Sequence, residues 1–150
     1  DPTLSQIEGG RARFVDGVLR LEETSVLFAL EAKNFIIRAE VKKVSGQNLS
    51  ILCRSSKKGM YTAWYNGGTS FGIGRSKDEW QNIKSGHPRK AAVGFQEYEI
   101  HIDGDEIELW VNGEQIVTVE DDQVRKSGAM GLSAFKGVSE FRRFQVKRLD

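Results

Sequence analysis

The sequence predicts an all-β domain made of two packed antiparallel sheets, a sandwich or jelly roll, and three observations carry that prediction. Apolar and polar residues alternate with period two in run after run, and no long stretch shows a helical period. Turn pairs fall between the runs, at Asp16-Gly17, Ser45-Gly46, Asn66-Gly67, Asp103-Gly104, Asn112-Gly113 and Ser127-Gly128. Such pairs supply the positive φ values that tight hairpins require. The runs number about a dozen within one domain-sized chain, which calls for two sheets face to face.

Each element follows from its own pattern. In "NFIIRAEVK", Phe35, Ile37, Ala39 and Val41 share one face, and Ile36, Arg38, Glu40 and Lys42 the other. "NLSILCR" places Leu49, Ile51 and Cys53 inward and Ser50, Leu52 and Arg54 outward, while "MYTAWYN" buries Tyr61, Ala63 and Tyr65 and turns Thr62, Trp64 and Asn66 out. "TSFGIGR" buries Phe71 and Ile73 and leaves Gly72 and Gly74 on the outer face. "SKDEWQNIKSGHPRKAAVG" lacks alternation and reads as a long loop with one short strand around Trp80. From Glu97 to Val119 the pattern is a three-stranded meander, with Tyr98, Ile100 and Ile102, then Ile107, Leu109 and Val111, facing the core and turns at Gly104 and Gly113. "DDQVRKS" suits a brief helical turn, and "FQVKRL" closes the set as a strand.

Composition narrows the functional classes. The chain has 150 residues, 22 basic and 21 acidic, for a net charge of +1. That balance provides no long-range field to draw in nucleic acid or an anionic membrane. No apolar run approaches the ~20 residues of a membrane helix. The single cysteine, Cys53, excludes an internal disulfide and a cysteine-based zinc site, and its apolar setting reads as a buried small side chain. The chain starts at Asp1 without a signal-peptide pattern, so residues 1–150 are read as a single module tethered to other domains of a larger protein.

The order of these pieces resembles the concanavalin A-like (laminin G-like) jelly roll. More narrowly it is similar to bacterial 3-keto-disaccharide hydrolase-like domains and to family 66 carbohydrate-binding modules. The residues that carry the resemblance are "NFIIRAEVK", "NLSILCRSS", "MYTAWYNG", "EYEIHIDGDEIELWVNGEQIVTVED" and "GAMGLSAFKGVSEFRRFQVKRL". The resemblance implies glycan binding on a sheet face or along its edge loops, an extracytoplasmic location, and a fold that admits calcium. No residue cluster in the sequence demands that ion, and no other cofactor is expected.

Catalytic signatures are sparse. The E-x-D-x-E strand motif of the glycosidases of this fold is missing. Glu106 and Glu108 share a face at ~6.5–7 Å, a spacing set by strand rise, which suits an inverting pair of carboxylates by distance. They also read as part of a solvated face with Glu97 and Glu99. No G-x-S-x-G elbow accompanies His87 and His101. His101 is placed for an ion pair with neighbouring carboxylates, and a metal site there is the weaker alternative. "GTSFGIGR" contains G-x-G without a following helix, so it is no dinucleotide fingerprint.

The outward Trp64 is what asks for a function. If the strands at 34–42, 48–54 and 60–66 are neighbours, Arg38, Glu40, Arg54 and Asn66 surround Trp64, and Gly72 and Gly74 form a shallow floor beside it. Trp80 then closes one wall. Sugars suit such a surface, because their C–H faces stack on indole and their hydroxyls pair with Arg, Glu and Asn. The expectation is a non-catalytic module that binds a glycan end or short oligosaccharide through Trp64, Arg54, Glu40, Asn66, Arg38 and Trp80. Three other readings stand beside it: a laminin G-like protein-interaction module, a glycoside hydrolase-like enzyme, and Trp64 as a packing residue under a lid formed by the 76–95 segment. Trp110 also points away from its core face and is a candidate for a second site.

Overall fold

The computed structural model describes residues 4–8, 11–90, 94–124 and 126–149, the first of these segments as backbone only. Fourteen strands, and no helix, occupy them: β1 (Leu4–Glu8), β2 (Arg11–Val15), β3 (Val18–Glu22), β4 (Ser25–Ala32), β5 (Phe35–Ser45), β6 (Asn48–Ser56) and β7 (Gly59–Tyr65) come first. They are followed by β8 (Phe71–Ser76), β9 (Trp80–Gly86), β10 (Gln96–Asp103), β11 (Glu106–Val111), β12 (Glu114–Glu120), β13 (Gly128–Phe135) and β14 (Val138–Arg148). They form two seven-stranded sheets. The front sheet runs β1-β4-β13-β6-β7-β8-β9 and the back sheet β12-β11-β10-β5-β14-β3-β2. Every pairing is antiparallel.

The core is what the alternation dictates. Phe35, Ile37, Val41, Tyr98, Ile100, Leu109 and Phe141 of the back sheet meet Leu49, Ile51, Tyr61, Tyr65, Phe71, Ile73 and Leu132 of the front. Rings cross the interface at Phe28–Phe144 and Phe71–Tyr98, with centroids 4.9 and 5.7 Å apart. Each such side chain contributes about 1.5–3 kcal/mol when fully buried. The Tyr98 hydroxyl donates to the Trp64 carbonyl at 2.9 Å, tying the back sheet to β7 through the core. Burial pushes that hydroxyl well above its ordinary pKa, so it stays a proton donor.

Three predicted features are corrected. β5 does not neighbour β6 and β7; it lies in the back sheet between β10 and β14. The two-residue turn at Gly46-Gln47 looks like a hairpin but carries the chain from one sheet to the other. It packs against the equivalent crossing at Lys136-Gly137: a Cβ on Gly46 would lie 2.1 Å from the Lys136 carbonyl oxygen, and one on Gly137 2.1 Å from that of Ser45. The turn from β3 to β4 joins them, since Glu23 N–H donates to the Gly137 carbonyl at 2.8 Å. Second, the supposed long loop contains β9, a seven-residue edge strand whose polar sequence hides it. Third, the stretch 121–127 holds no helical turn among its described residues.

Candidate ligand-binding face

The outer faces of the two sheets differ in chemistry. On the back sheet, register places charge opposite charge: Glu99 lies between Arg38 and Trp110, and His101 faces Glu108. Arg38 pairs with Glu99, the His101 ring approaches Glu99 at 2.7 Å and Glu108 at 3.5 Å, and Gln115 donates to Glu108 at 2.8 Å. Glu40 accepts from Arg142 at 2.9 Å and Arg143 at 2.8 Å, and the Arg142 guanidinium lies 3.9 Å over Phe95. Burial alone would raise Glu40, but the hydrogen bonds and charges of the two arginines outweigh it and hold the carboxyl below its usual range. Exposed pairs of this kind contribute little to stability individually. Among the described residues no three His, Cys, Asp or Glu side chains gather in a metal-holding arrangement.

Among the described residues, the front sheet carries no ionisable side chain across the middle of its outer face. One row reads Ser25, Ser133, Ser50, Trp64, Gly72, Ser85, and the next Leu27, Gly131, Leu52, Thr62, Gly74, Asn82. All fourteen strands of the described residues belong to one sheet or the other, so none of them lies over this surface.

Two tryptophans dominate it. Trp64 on β7 and Trp80 on β9 reach across β8 from opposite sides. The Trp64 indole N–H donates to Asn82 Oδ1 at 3.0 Å, and the Trp80 indole N–H donates to Thr62 Oγ1 at 3.2 Å. Each ring covers a glycine of β8. A Cβ on Gly72 would sit 2.5 Å from Trp64 Cζ2, and one on Gly74 2.6 Å from Trp80 Nε1. The glycines therefore do not form an open floor beside Trp64, as predicted; they are the beds of the two indoles. Trp64 is 9% exposed and Trp80 48%. Trp64 is the packed member of the pair and Trp80 the one that offers surface.

The remaining predicted residues are dispersed. Arg38 and Glu40 lie on the back sheet, on the opposite side of the sandwich from Trp64. Arg54 is 1% exposed, at φ 50° in an irregularity of β6, with its guanidinium donating to the Lys33 carbonyl at 2.8 and 3.1 Å. It fastens the β4–β5 turn, where Asn34 Oδ1 also accepts from Gly104 N–H at 2.8 Å. Asn66 caps its own turn, with Oδ1 accepting from Gly68 N–H at 2.9 Å and Ser70 N–H at 3.4 Å. Trp110 stacks on His101 at 6.0 Å in the back sheet, and its indole N–H is buried without a partner among the described residues. Of the predicted set, the structure brings together Trp64 and Trp80. Asn82 and Thr62 complete the cluster. Asn82 went unread because β9 lacks alternation, although its place two residues after Trp80 puts both on one strand face.

Beside Trp80, Gln81 belongs to a second network. Arg75 Nη2 donates to Gln81 Oε1 at 2.9 Å, Arg75 pairs with Asp121, and the Tyr61 hydroxyl donates to Asp121 Oδ1 at 2.5 Å. Burial, then the hydrogen bond and charge of Asp121, push the Tyr61 hydroxyl up, so it too remains protonated.

Residues 3–147 match the family model described as a 3-keto-alpha-glucoside-1,2-lyase-like domain. Among solved structures, carbohydrate-binding module CBM66 from Bacillus subtilis superposes with a TM-score of 0.83 at 12% identity, covering 96% of each chain. A putative glycosyl hydrolase from Parabacteroides distasonis gives 0.74 at 11% identity, over 93% of this chain and 83% of that one. A prokaryotic β-1,3-1,4-glucanase from a mouse hindgut metagenome gives 0.75 at 12% identity, over 97% and 92%. No curated protein matches the sequence. These likenesses establish the jelly-roll sandwich, and the family match, which spans nearly the whole chain, makes it a member of the 3-keto-alpha-glucoside-1,2-lyase-like domain family.

Proposed function

We propose that the chain is a non-catalytic carbohydrate-binding module that presents the outer face of its front sheet to a glycan end or short oligosaccharide. The observation that carries this reading is the Trp64–Trp80 pair: one indole packed on Gly72 and holding Asn82, the other half exposed on a face whose central rows, among the described residues, hold no ionisable group. Trp80 is the stacking surface, Trp64 the packed ring beside it, and the Asn82 amide the polar contact. An indole held by Thr62 is fixed before the ligand arrives, so less freedom is lost on binding. The fold likeness to CBM66 supports the same reading. An extracytoplasmic location, where such glycans are met, belongs to the proposal. So does attachment to other domains of a parent protein.

The test is a tryptophan-fluorescence titration against soluble glycans with wild type, Trp80→Ala and Trp110→Phe. A saturable change lost only in Trp80→Ala supports the module and its face. No response to any glycan, from folded protein, moves the assignment to protein interaction.

A catalytic reading draws on the family's description and on the likeness to the glucanase. It requires a carboxylate or imidazole near the ligand. Glu99, His101 and Glu108 group such side chains on the back sheet, and Asp121 lies in the Arg75–Tyr61 network that reaches Gln81. Turnover of a 3-keto-glucoside that is abolished by His101→Ala and retained by Trp80→Ala would establish that reading in place of the first.

A further inference from the structure

The sequence holds two Asn-Gly pairs, Asn66-Gly67 and Asn112-Gly113, and the fold treats their side chains in opposite ways. The Asn112 carboxamide is tied to β10 at both ends: Oδ1 accepts from Glu97 N–H at 2.9 Å and Nδ2 donates to Gln96 Oε1 at 2.8 Å. That side chain is thereby drawn away from Gly113. Asn66 lies exposed in the turn between β7 and β8, and only its amide oxygen is engaged. Oδ1 accepts from Gly68 N–H at 2.9 Å and Ser70 N–H at 3.4 Å, which folds the side chain back along the residues that follow. Neither Asn66 Nδ2 nor Gly67 N–H has a hydrogen-bond partner among the described residues. Lys43 of the back sheet reaches the same turn: a Cβ on Gly67 would lie 2.6 Å from Lys43 Cδ and 3.1 Å from its Nζ.

We infer that Asn66 is a site of spontaneous deamidation built into this turn, and that Asn112 is held out of the same reaction. The Gly67 nitrogen gives its proton to hydroxide or water and attacks Asn66 Cγ. The new N–Cγ bond closes a succinimide ring, the Cγ–Nδ2 bond breaks, and Nδ2 leaves as ammonia after taking a proton from water. Water then opens the ring at either carbonyl and leaves aspartate or isoaspartate in place of Asn66. Each step meets a matching feature. Negative charge builds on Oδ1 in the tetrahedral intermediate, where two main-chain N–H groups already point. The Lys43 ammonium favours the charge that develops as Gly67 gives up its proton. Gly67, without a Cβ and at φ 86°, puts no side chain in the path of ring closure. Asn34, Asn48 and Asn82 instead precede Phe35, Leu49 and Ile83, whose side chains obstruct it. Isoaspartate routes the main chain through the former side chain and lengthens the β7–β8 connection, beside the Tyr65–Phe71 stack at 4.2 Å.

This assignment is independent of the proposed glycan face. The test incubates folded protein and a urea-unfolded sample in mildly alkaline buffer and follows both Asn-Gly peptides by mass spectrometry. Protein isoaspartyl methyltransferase serves as the probe for isoaspartate. Each rate is read against that of the same pair in the unfolded chain, which removes the effect of local sequence. Folding is expected to slow Asn112 at least about tenfold, because its two side-chain hydrogen bonds must break first. Asn66 is expected to be slowed far less and to be the first residue converted in the folded protein. Lys43→Met should slow Asn66 and leave Asn112 unchanged. Equal protection of the two pairs by folding, or an Asn66 that stays intact while the unfolded sample reacts, overturns the assignment. An Asn66 rate in Lys43→Met that equals or exceeds that of wild type overturns the part given to the lysine.

Discussion

Trp64 and Trp80 cross β8 in opposite directions, each donating its indole N–H to the strand from which the other comes. The arrangement explains why β8 reads Gly72-Ile73-Gly74: the outward positions are vacated so that two rings can lie flat across the strand, and the inward one fills the core. An outward tryptophan on a β-strand is thus half a packing device and half a surface, with the division made between Trp64 and Trp80.

Substitutions at the glycines should rank by what a Cβ would meet. Gly137→Ala drives a methyl into the Ser45 carbonyl backbone at the crossing of the two sheet-changing turns, where nothing can yield. Gly72→Ala meets the buried Trp64 ring and the Lys84 carbonyl. Gly74→Ala meets Trp80, which is half exposed and can swing away. Overpacking of this kind costs about 1–3 kcal/mol, occasionally more. Urea unfolding should give Gly137→Ala the largest loss, Gly72→Ala an intermediate one and Gly74→Ala the smallest, with Gly74→Ala also raising Trp80 mobility in fluorescence anisotropy. An inverted order would mean that the indoles do not lie on β8.

Arg54 is expected to be a fastener of the turns at one end of the sandwich. Arg54→Met keeps most of the buried volume and removes the donors to the Lys33 carbonyl. Leaving a buried acceptor unsatisfied costs about 1–3 kcal/mol. Chemical denaturation should show a loss in that range, and glycan binding at Trp80 should be unchanged once the protein is folded. A folded Arg54→Met that fails to bind would return Arg54 to the site.

Much of this was legible in the sequence, and the part that was not has a physical reason. Period-two alternation tells which way a side chain points, and Phe35 to Val41, Leu49 to Cys53 and Tyr61 to Tyr65 all point as it says. It carries no information on which sheet a strand joins. The connection at Gly46-Gln47 is as short as a hairpin turn, so β5 reads as a neighbour of β6, and Arg38 and Glu40 are drawn into a site from which they are separated by the whole core. The contrary signal is Gly46 itself together with Gly137, two glycines far apart in sequence that touch through backbone. β9 escaped for another reason: an edge strand exposed along most of its length has no core face to impose alternation.

Acid should loosen the back sheet first. The Glu40 carboxyl is depressed by Arg142 and Arg143, so the stability it contributes is present above the ordinary carboxyl value of 4.5 and is lost as pH falls through its lowered native value. Glu99 behaves alike: burial would raise it, and hydrogen bonds from His101 and Arg38 win. Unfolding midpoints measured down the acid limb should fall less steeply for Glu40→Gln than for wild type, and the difference should shrink in high salt. Parallel acid limbs would show that the arginine pair does not stabilise the ionised form.

Cys53 should be chemically silent in the native state. Burial pushes its thiol up to about 12, against a small opposing effect of Arg54. Reaction with a thiol-specific disulfide reagent near neutral pH should follow global unfolding, with native protein unlabelled over hours. Rapid labelling of folded protein would place the thiol outside the core.

The claim that matters most is which face meets a ligand, and amide chemical-shift mapping during titration with a bound glycan tests it most directly. Perturbations are expected at Trp64, Gly72, Gly74, Trp80 and Asn82 and in both indole N–H signals of the pair. Shifts confined instead to Arg38, Glu99, His101 and Trp110 would put the ligand on the back sheet and contradict the account.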